Sequence, residues 1–220
     1  MQTDTEKRPL IIIGAGGHSV SVANVAISAG YKIRCFIDSS KSGSNIFGYE
    51  ILKDITEIRN LDEFSFSIAI GDNFRRECAY RELLSFSNEL NFPILAHATA
   101  VISPFSAIEE GTVLMPASIV GPNTTIGKFT ILNTQVSVDH DSDIKNFSSL
   151  APAAITGGNV TIGKRTAIGM GTIIKHGIQI GDDSVIGAAS FVNKNIGNSL
   201  VCYGTPAKIK KKRKPGDPYL

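Results

Sequence analysis

A strict six-residue repeat runs through the second half of the chain and restricts its fold more than any other feature. From Ile102 to Val192, every sixth residue is Ile, Leu or Val at fifteen of sixteen positions, with Thr156 as the exception. The residue four places later is small or β-branched in nearly every hexad. An α-helix repeats every ~3.6 residues and an ordinary strand every ~2, so neither produces this pattern. A sustained period of six predicts a parallel β-helix.

Each hexad is predicted to form one short strand and one turn, so that three hexads close one triangular coil. The aliphatic residue would point into the prism, and the small residue would fit a corner. Glycine or a short polar residue often follows the aliphatic one, as at Gly121, Gly163 and Asp139. We expect these residues to help the chain turn through conformations that others resist. A β-sandwich would not keep one six-residue phase over nearly a hundred residues.

The chain before the repeat predicts alternating strands and helices, and hence a small parallel Rossmann-like sheet flanked by helices. The predicted elements are a strand over Leu10–Ile13, a helix over 20–29, a strand over Ile33–Ile37, a strand over 66–70 and a helix over 74–90. Three segments follow from this division. They are an α/β domain over 1–97, a β-helix over 98–207 and a basic tail over 208–220.

A glycine-rich turn over 14–19 follows the first predicted strand, and Asp38 ends the second. Such glycines let a phosphate approach backbone N–H groups, and an acid at this place takes ribose hydroxyls. The dinucleotide fingerprint is incomplete, because Ser19 occupies the third glycine position and the sheet has too few strands. We therefore predict a nucleotide-diphosphate ligand and no NAD. Glycines that serve only a tight turn are the alternative.

Charge and cysteine content narrow the function classes. A net charge of +2 argues against nucleic acid as the main partner, because phosphate binding needs a broad basic face. The three cysteines, Cys35, Cys78 and Cys202, have no CxxC spacing, so a disulfide framework or a thiolate zinc site is not indicated. The apolar run Leu10–Ile13 is far shorter than the ~20 residues of a membrane span. We expect a soluble cytoplasmic protein without a membrane partner.

Several motifs together resemble one known family over about 9–208. They are GAGGHS, FID, AIGDN, LNTQVSVDHD, APAAITGGNVTIG and GTPAK, in addition to the hexads. The combination resembles the PglD/NeuD-type bacterial sugar acyltransferases. The resemblance implies a left-handed parallel β-helix of hexapeptide repeats, acetyl-CoA as co-substrate, no metal, and a homotrimer with coenzyme A between adjacent prisms. The implied reaction is N-acetylation of a nucleotide-linked 4-amino-4,6-dideoxy sugar for O-antigen, capsule or glycoprotein biosynthesis.

Acyl transfer to an amine or hydroxyl needs a base, and histidine, with a pKa near 6.5, suits that task at neutral pH. The resemblance places the base at His140 and an orienting acid at Asp141. Successive side chains of an extended chain point apart, so this pairing requires turn geometry. Asp139 or a residue of a neighbouring chain is the alternative orienter.

The resemblance also assigns binding residues. The nucleotide-sugar residues are Gly16, Gly17, His18, Asp38, Gly71 and Asn133. The acetyl-CoA residues are Gly157, Gly158, Gly169, Met170, Gly187 and Ala188, with a backbone N–H of the Gly157–Gly158 pair facing the thioester carbonyl. His97 and His176 are predicted to be structural. Lys208 and the basic tail either contact coenzyme A phosphates or remain solvated.

Other functions remain open at this point. A sugar O-acetyltransferase of the sialic-acid type would use the same base, and a non-catalytic trimerising nucleotide-binding protein would leave His140 dispensable. A β-helical zinc carbonic anhydrase needs three histidine ligands, but the repeat contains only His140 and His176. An oxidoreductase would have to bind NAD.

Overall fold

The computed structural model describes residues 7–219, which form an α/β domain followed by a triangular prism of short strands. Residues 1–6 and 220, the ends of the first and last predicted segments, lie outside the described residues. The elements of the α/β domain are β1 (Leu10–Ile13), α1 (Gly17–Ser28), β2 (Ile33–Ile37), β3 (Asn45–Ile46), β4 (Tyr49–Leu52), 3-10 turns at Ile55–Glu57 and Leu61–Glu63, β5 (Ser65–Ile68) and α2 (Asn73–Phe86).

The sheet of this domain has the order β3-β4-β2-β1-β5, and all its neighbouring pairs are parallel except β3 with β4. This confirms the expected small parallel sheet. The sequence did not reveal the β3–β4 hairpin, because its strands are short and only one of their six residues is buried. Helix α1 begins three residues earlier than expected, with Gly16 at its N-cap. Helix α2 ends before the expected residue 90, because Ser87 adopts an extended conformation.

The prism has three faces of stacked, parallel two-residue strands, and the first face also carries two longer strands at its end. The first face contains Leu95–Ala96, Val113–Leu114, Ile131–Leu132, Ser149–Leu150, Ala167–Ile168 and Val185–Ile186, and ends with Leu200–Tyr203 and Lys208–Lys212. The second contains Val101–Ile102, Ile119–Val120, Ser137–Val138, Ile155–Thr156, Ile173–Ile174 and Phe191–Val192. The third contains Ala107–Ile108, Thr125–Ile126, Asp143–Ile144, Thr161–Ile162 and Gln179–Ile180. The boundary at 97/98 stays a prediction, although Leu95–Ala96 already pairs with the prism.

One coil takes 18 residues, because Ile119 pairs with Ser137 on the next coil. This confirms three hexads per coil. The hexad residues from Leu114 to Val192 are at most 3% exposed and fill the prism. Ile102 is 38% exposed because it lies in an edge strand of the second face. Corner hydroxyls donate to carbonyls of the next coil, as from Thr112 Oγ1 to Gly127 O at 2.9 Å.

The glycines after the aliphatic residues have a different role from the expected one. Left-handed backbone occurs two residues further on, as at Asn123 (φ 53°) and Asp141 (φ 57°). A Cβ at Gly121 would instead lie 2.8 Å from the backbone nitrogen of His140, and one at Gly163 would lie 2.4 Å from a backbone carbon of the next coil. The prediction that these glycines serve the turn was wrong, because they allow adjacent coils to stack closely.

A buried arginine joins the two domains. Arg76 of α2 is 1% exposed, and its guanidinium donates to backbone carbonyls of Phe129 (2.9 Å), Phe147 (3.0 Å) and Ser148 (3.0 Å) in the prism. It also donates to Ile70 O at 2.9 Å in its own domain. Burial lowers the pKa of Arg76 to about 10, so the side chain remains charged at neutral pH.

An ion-pair network lies beside Arg76. Glu77 of α2 contacts Lys164 Nζ at 2.8 Å and Arg165 Nη1 at 2.7 Å, and Arg165 forms two further bonds to Asp183. Burial opposes ionisation of Glu77, but hydrogen bonds from Lys164, Arg165 and Arg81 outweigh it and lower the pKa of Glu77 to about 2. The α/β domain is thus fixed to the prism corner between the third and first faces.

The basic tail is partly a folded segment. Its strand Lys208–Lys212 is exposed and pairs antiparallel with Leu200–Tyr203. Arg213 is buried and donates to Asp183 O at 2.7 Å. The chain then reaches α2, where Tyr219 Oη accepts a hydrogen bond from Asn73 N at 2.8 Å. Within residues 7–219, no helix is long and apolar enough to cross a bilayer.

Candidate active site

His140 and Asp141 form a hydrogen-bonded pair at a corner of the prism. The corner between the second and third faces, which includes 139–142 and 157–160, is called the His140 corner below. His140 Nδ1 and Asp141 Oδ2 are 2.6 Å apart. The left-handed backbone of Asp141 turns its side chain to the same side as the imidazole. The turn geometry that the pairing requires is therefore present.

Asn123 extends this pair by one coil. Its Nδ2 donates to Asp141 Oδ1 at 2.5 Å, so both carboxylate oxygens of Asp141 are bound. Hydrogen bonds from Asn123 and His140 lower the pKa of Asp141, and the hydrogen bond to Asp141 raises the pKa of His140. Asn123 was not among the residues predicted from the sequence. Its position 18 residues before Asp141, one coil in the same register, is the signal that identifies it.

The hydrogen bonds also assign the imidazole tautomer. An ionised carboxylate only accepts, so Nδ1 carries the hydrogen and Nε2 keeps a free lone pair. The ring nitrogen Nδ1 is bonded to Asp141, whereas Asp139 Oδ1 accepts from the backbone N–H of His140 at 2.8 Å. The backbone N–H of Asp139 in turn donates to Thr156 Oγ1 at 3.2 Å. The single polar hexad residue therefore supports the histidine turn from inside the prism.

Gly158 makes room for the imidazole. A Cβ at this position would lie 2.5 Å from both Cε1 and Nε2 of His140. The N–H of Gly157 donates to Ile174 O at 2.8 Å within the coil ladder. Among the described residues, the N–H of Gly158 has no acceptor, so it is the member of the predicted pair that can face a ligand.

Four predicted acetyl-CoA residues line one cavity of about 260 Å³. It lies at the corner between the first and second faces, which includes 133–136, 151–154, 169–172 and 187–190 and is called the Met170 corner below. The cavity is lined by small or apolar side chains together with Tyr219; among the lining residues are Ser149, Ala151, Gly169, Met170, Gly187 and Ala188. Asn133 begins the same corner on an earlier coil, where its Oδ1 accepts from Thr134 N at 2.9 Å.

The predicted acetyl-CoA residues thus divide between two corners: Gly157 and Gly158 lie with His140, and the other four lie at the Met170 corner. The His140 corner and the Met170 corner lie at opposite edges of the second face, so one chain does not bring them together. The outward row of this face is largely apolar and exposed: Val101 (61%), Ile119 (43%), Ile155 (45%) and Ile173 (51%). Two copies that associate through this face would bring the His140 corner of one beside the Met170 corner of the other.

The α/β domain has a cavity of about 420 Å³ at the carboxyl ends of β1 and β2, the usual ligand position of a parallel sheet. Asp38 lies at its rim, but its Oδ2 accepts from Ala15 N at 2.9 Å and its Oδ1 accepts from Ser40. Partial burial opposes ionisation, yet the hydrogen bonds from Ser40 and Ala15 lower the pKa of Asp38. Its carboxylate therefore holds the glycine turn together.

The other predicted nucleotide-sugar residues lie nearby. Gly16 and Gly17 are exposed at the start of α1, and a Cβ at either would meet no atom. Burial and the charge of Arg76 lower the pKa of His18 to about 4, so its imidazole is neutral, and its buried Nε2 has no partner within residues 7–219. Gly71 lines a cleft of about 300 Å³ with Asp72, Arg75 and Tyr219. In the described part of the chain, no three His, Cys, Asp or Glu side chains are grouped to hold a metal.

Each of the two domains is similar to a known protein family. Residues 9–83 match the PglD N-terminal domain, and residues 159–194 match the bacterial transferase hexapeptide (six repeats). PerB from Caulobacter crescentus, solved with CoA and GDP-perosamine, is 30% identical, with a TM-score of 0.86 over 92% of this chain and 97% of that chain. The acetyltransferase domain of PglB from Neisseria gonorrhoeae, solved with acetyl coenzyme A, is 28% identical, with a TM-score of 0.87 over 93% and 100%.

WeeI from Acinetobacter baumannii is 27% identical, with a TM-score of 0.84 over 92% of this chain and 99% of that chain. The similarity to these structures extends over both domains and matches the resemblance carried by the sequence motifs. The chain belongs to the PglD/NeuD-type family of bacterial sugar acyltransferases.

Proposed function

We propose that this protein transfers the acetyl group of acetyl-CoA to the amine of a nucleotide-linked 4-amino-4,6-dideoxy sugar in bacterial glycan biosynthesis. The observation that carries the proposal is the Asn123–Asp141–His140 array, which leaves the Nε2 lone pair of His140 free beside Gly158. The ligands of PerB, CoA and GDP-perosamine, support the substrate class.

The Met170 corner suits the co-substrate. Its cavity combines bare backbone at Gly169 and Gly187 with short or apolar side chains, which fits the narrow pantetheine arm. We assign the arm to Gly169, Met170, Gly187 and Ala188. Acetyl-CoA supplies a thioester carbonyl carbon as the electrophile.

His140 acts as the general base. The acceptor amine gives a proton to Nε2 as its nitrogen bonds to the carbonyl carbon. The bond from that carbon to sulfur then breaks, and the imidazolium returns the proton to sulfur, so that coenzyme A leaves as the thiol. Asp141 stabilises the imidazolium that forms, and Asn123 keeps the carboxylate in place. The free N–H of Gly158 is the donor for the negative charge that develops on the carbonyl oxygen.

The proposed enzyme is a homotrimer that is built through the second face, with each active site shared between two chains. We expect Ile155→Glu to convert the trimer to monomers, because it places a charge in the centre of the apolar row. Sedimentation velocity measures this directly. The control is Gln179→Glu on the exposed third face, which should remain trimeric. A wild-type protein that sediments as a stable monomer contradicts the assembly.

Gly158→Ala is expected to lower kcat by about a hundredfold, because the new Cβ displaces the His140 ring from its productive position. The melting temperature should change little, since the imidazole is exposed and can swing outward. The control is Gly197→Ala, whose added Cβ would have only a 3.7 Å contact. Steady-state kinetics with equal kcat values for both variants would argue against the position assigned to His140.

The pH dependence follows from the raised pKa of His140. The base works only when deprotonated, so kcat/KM should fall as the pH drops through a value above the ordinary ~6.5. Asp141→Asn removes the charge that stabilises the imidazolium, so the acidic limb should move to lower pH and the rate should fall. If the acidic limb of the pH profile does not move in this variant, Asp141 does not influence the pKa of the group that titrates.

The substrate assay compares thiol release from acetyl-CoA with UDP-, GDP- and dTDP-linked 4-amino sugars, and with sialic acid. We expect turnover with a nucleotide-linked amino sugar. Turnover with sialic acid alone would make the enzyme an O-acetyltransferase, and no turnover with any acceptor would leave a nucleotide-binding protein without catalysis.

A further inference from the structure

Tyr219 lies between two cavities that belong to different parts of the molecule. It lines the cavity at the Met170 corner, together with Gly169 and Met170. It also lines the cleft formed by Gly71 and Arg75 at the nucleotide side. Among residues 7–219, no other residue lines both of these cavities, and Tyr219 is the only aromatic one in either.

The ring of Tyr219 is held from two sides. Its hydroxyl accepts from the first backbone N–H of α2, that of Asn73, at 2.8 Å. The guanidinium of Arg213 lies 5.3 Å from the ring centroid, and Arg213 is itself fixed to Asp183 O. Burial raises the pKa of Tyr219, so the hydroxyl stays neutral at neutral pH. A ring fixed in this way loses little conformational entropy when a ligand packs against it.

We propose that Tyr219 is a coenzyme A-binding residue, whose ring closes the cavity at the Met170 corner on the side of the α/β domain and packs against the pantetheine arm. The inference rests on the proposed function, because it places coenzyme A at that corner. The other lining residues are small or aliphatic, so Tyr219 provides the largest flat apolar surface available to the arm. The hydroxyl positions the ring through Asn73 and does not take part in the chemistry.

The absence of tryptophan in the chain allows a direct test. Tyr219→Trp introduces one fluorophore beside the cavity, and Tyr31→Trp introduces one at another half-buried tyrosine, in the α/β domain. We expect CoA to change the emission of the Tyr219→Trp protein and to leave the Tyr31→Trp protein unchanged. By calorimetry, Tyr219→Ala should weaken CoA binding about tenfold, whereas Tyr219→Phe should stay within about twofold of wild type.

The outcomes separate the two proposals. If wild-type protein binds no CoA, the proposed function fails together with this inference. If wild type binds CoA but Tyr219→Ala retains its affinity within twofold and the Tyr219→Trp emission does not respond, only the role of Tyr219 is overturned. If Tyr219→Ala does not fold, the Tyr219→Trp titration and the CoA affinity of Tyr219→Phe test the role of Tyr219 instead. An equal emission change in the Tyr31→Trp protein would also overturn it, because the signal would then not be local.

Discussion

Replacing His140 with Asn is expected to lower kcat by about 10²–10⁴-fold, while CoA affinity stays close to that of wild type. The amide cannot accept a proton, but it can keep a hydrogen bond to Asp141, so the corner should retain its shape. CoA affinity should change little because the residues assigned to the pantetheine arm, which line the cavity at the Met170 corner, do not include His140. Steady-state kinetics and calorimetry measure the two quantities separately.

A matched control comes from the same corner. His176 is exposed one coil beyond Gly158, and a Cβ at Gly157 would lie 2.8 Å from its backbone nitrogen. His176→Asn should therefore keep kcat within about twofold, because it lies outside the array at His140. Full activity in the His140→Asn protein, or an equal loss in both variants, would reject His140 as the base.

Arg76→Met is expected to destabilise the protein by about 3–5 kcal/mol, because several buried carbonyls lose their donor and each one costs about 1–3 kcal/mol when unsatisfied. The side chain fits the space, but the buried carbonyls of Phe129 and Phe147 lose their donor across the domain joint. Urea unfolding followed by circular dichroism measures the loss. An early transition of the α/β domain is expected, because Arg76 joins it to the prism.

Arg75→Met serves as the control, because Arg75 is exposed on the same helix and the substitution has the same helical propensity. Its unfolding midpoint should lie close to that of wild type. A loss below about 1 kcal/mol for Arg76→Met would mean that the ion pairs of Glu77 with Lys164 and Arg165, rather than Arg76, hold the domains together.

The sequence predicted the prism well because each hexad carries its own aliphatic residue at a fixed position. From Leu114 to Val192, these residues are buried inside the prism, as expected. The pairing of His140 with Asp141 was also predictable, given a turn. The domain joint was not, since Arg76 contacts residues 53 and 71 positions away, and no local pattern encodes such contacts. The return of Tyr219 to α2 spans 146 positions and was missed for the same reason.

The coil length of 18 residues determines which side chains stack on one another along the prism. Asn123 and Asp141 share one column of the prism, and His140 and Gly158 share the next. Loss of one residue between Asn123 and Asp141 would shift Asp141 out of its column and turn every later aliphatic side chain away from the interior. Insertion of a whole coil would keep all side chains in phase and only lengthen the rod. Natural length variation in such a chain is therefore expected in steps of one coil, or as loops at the corners.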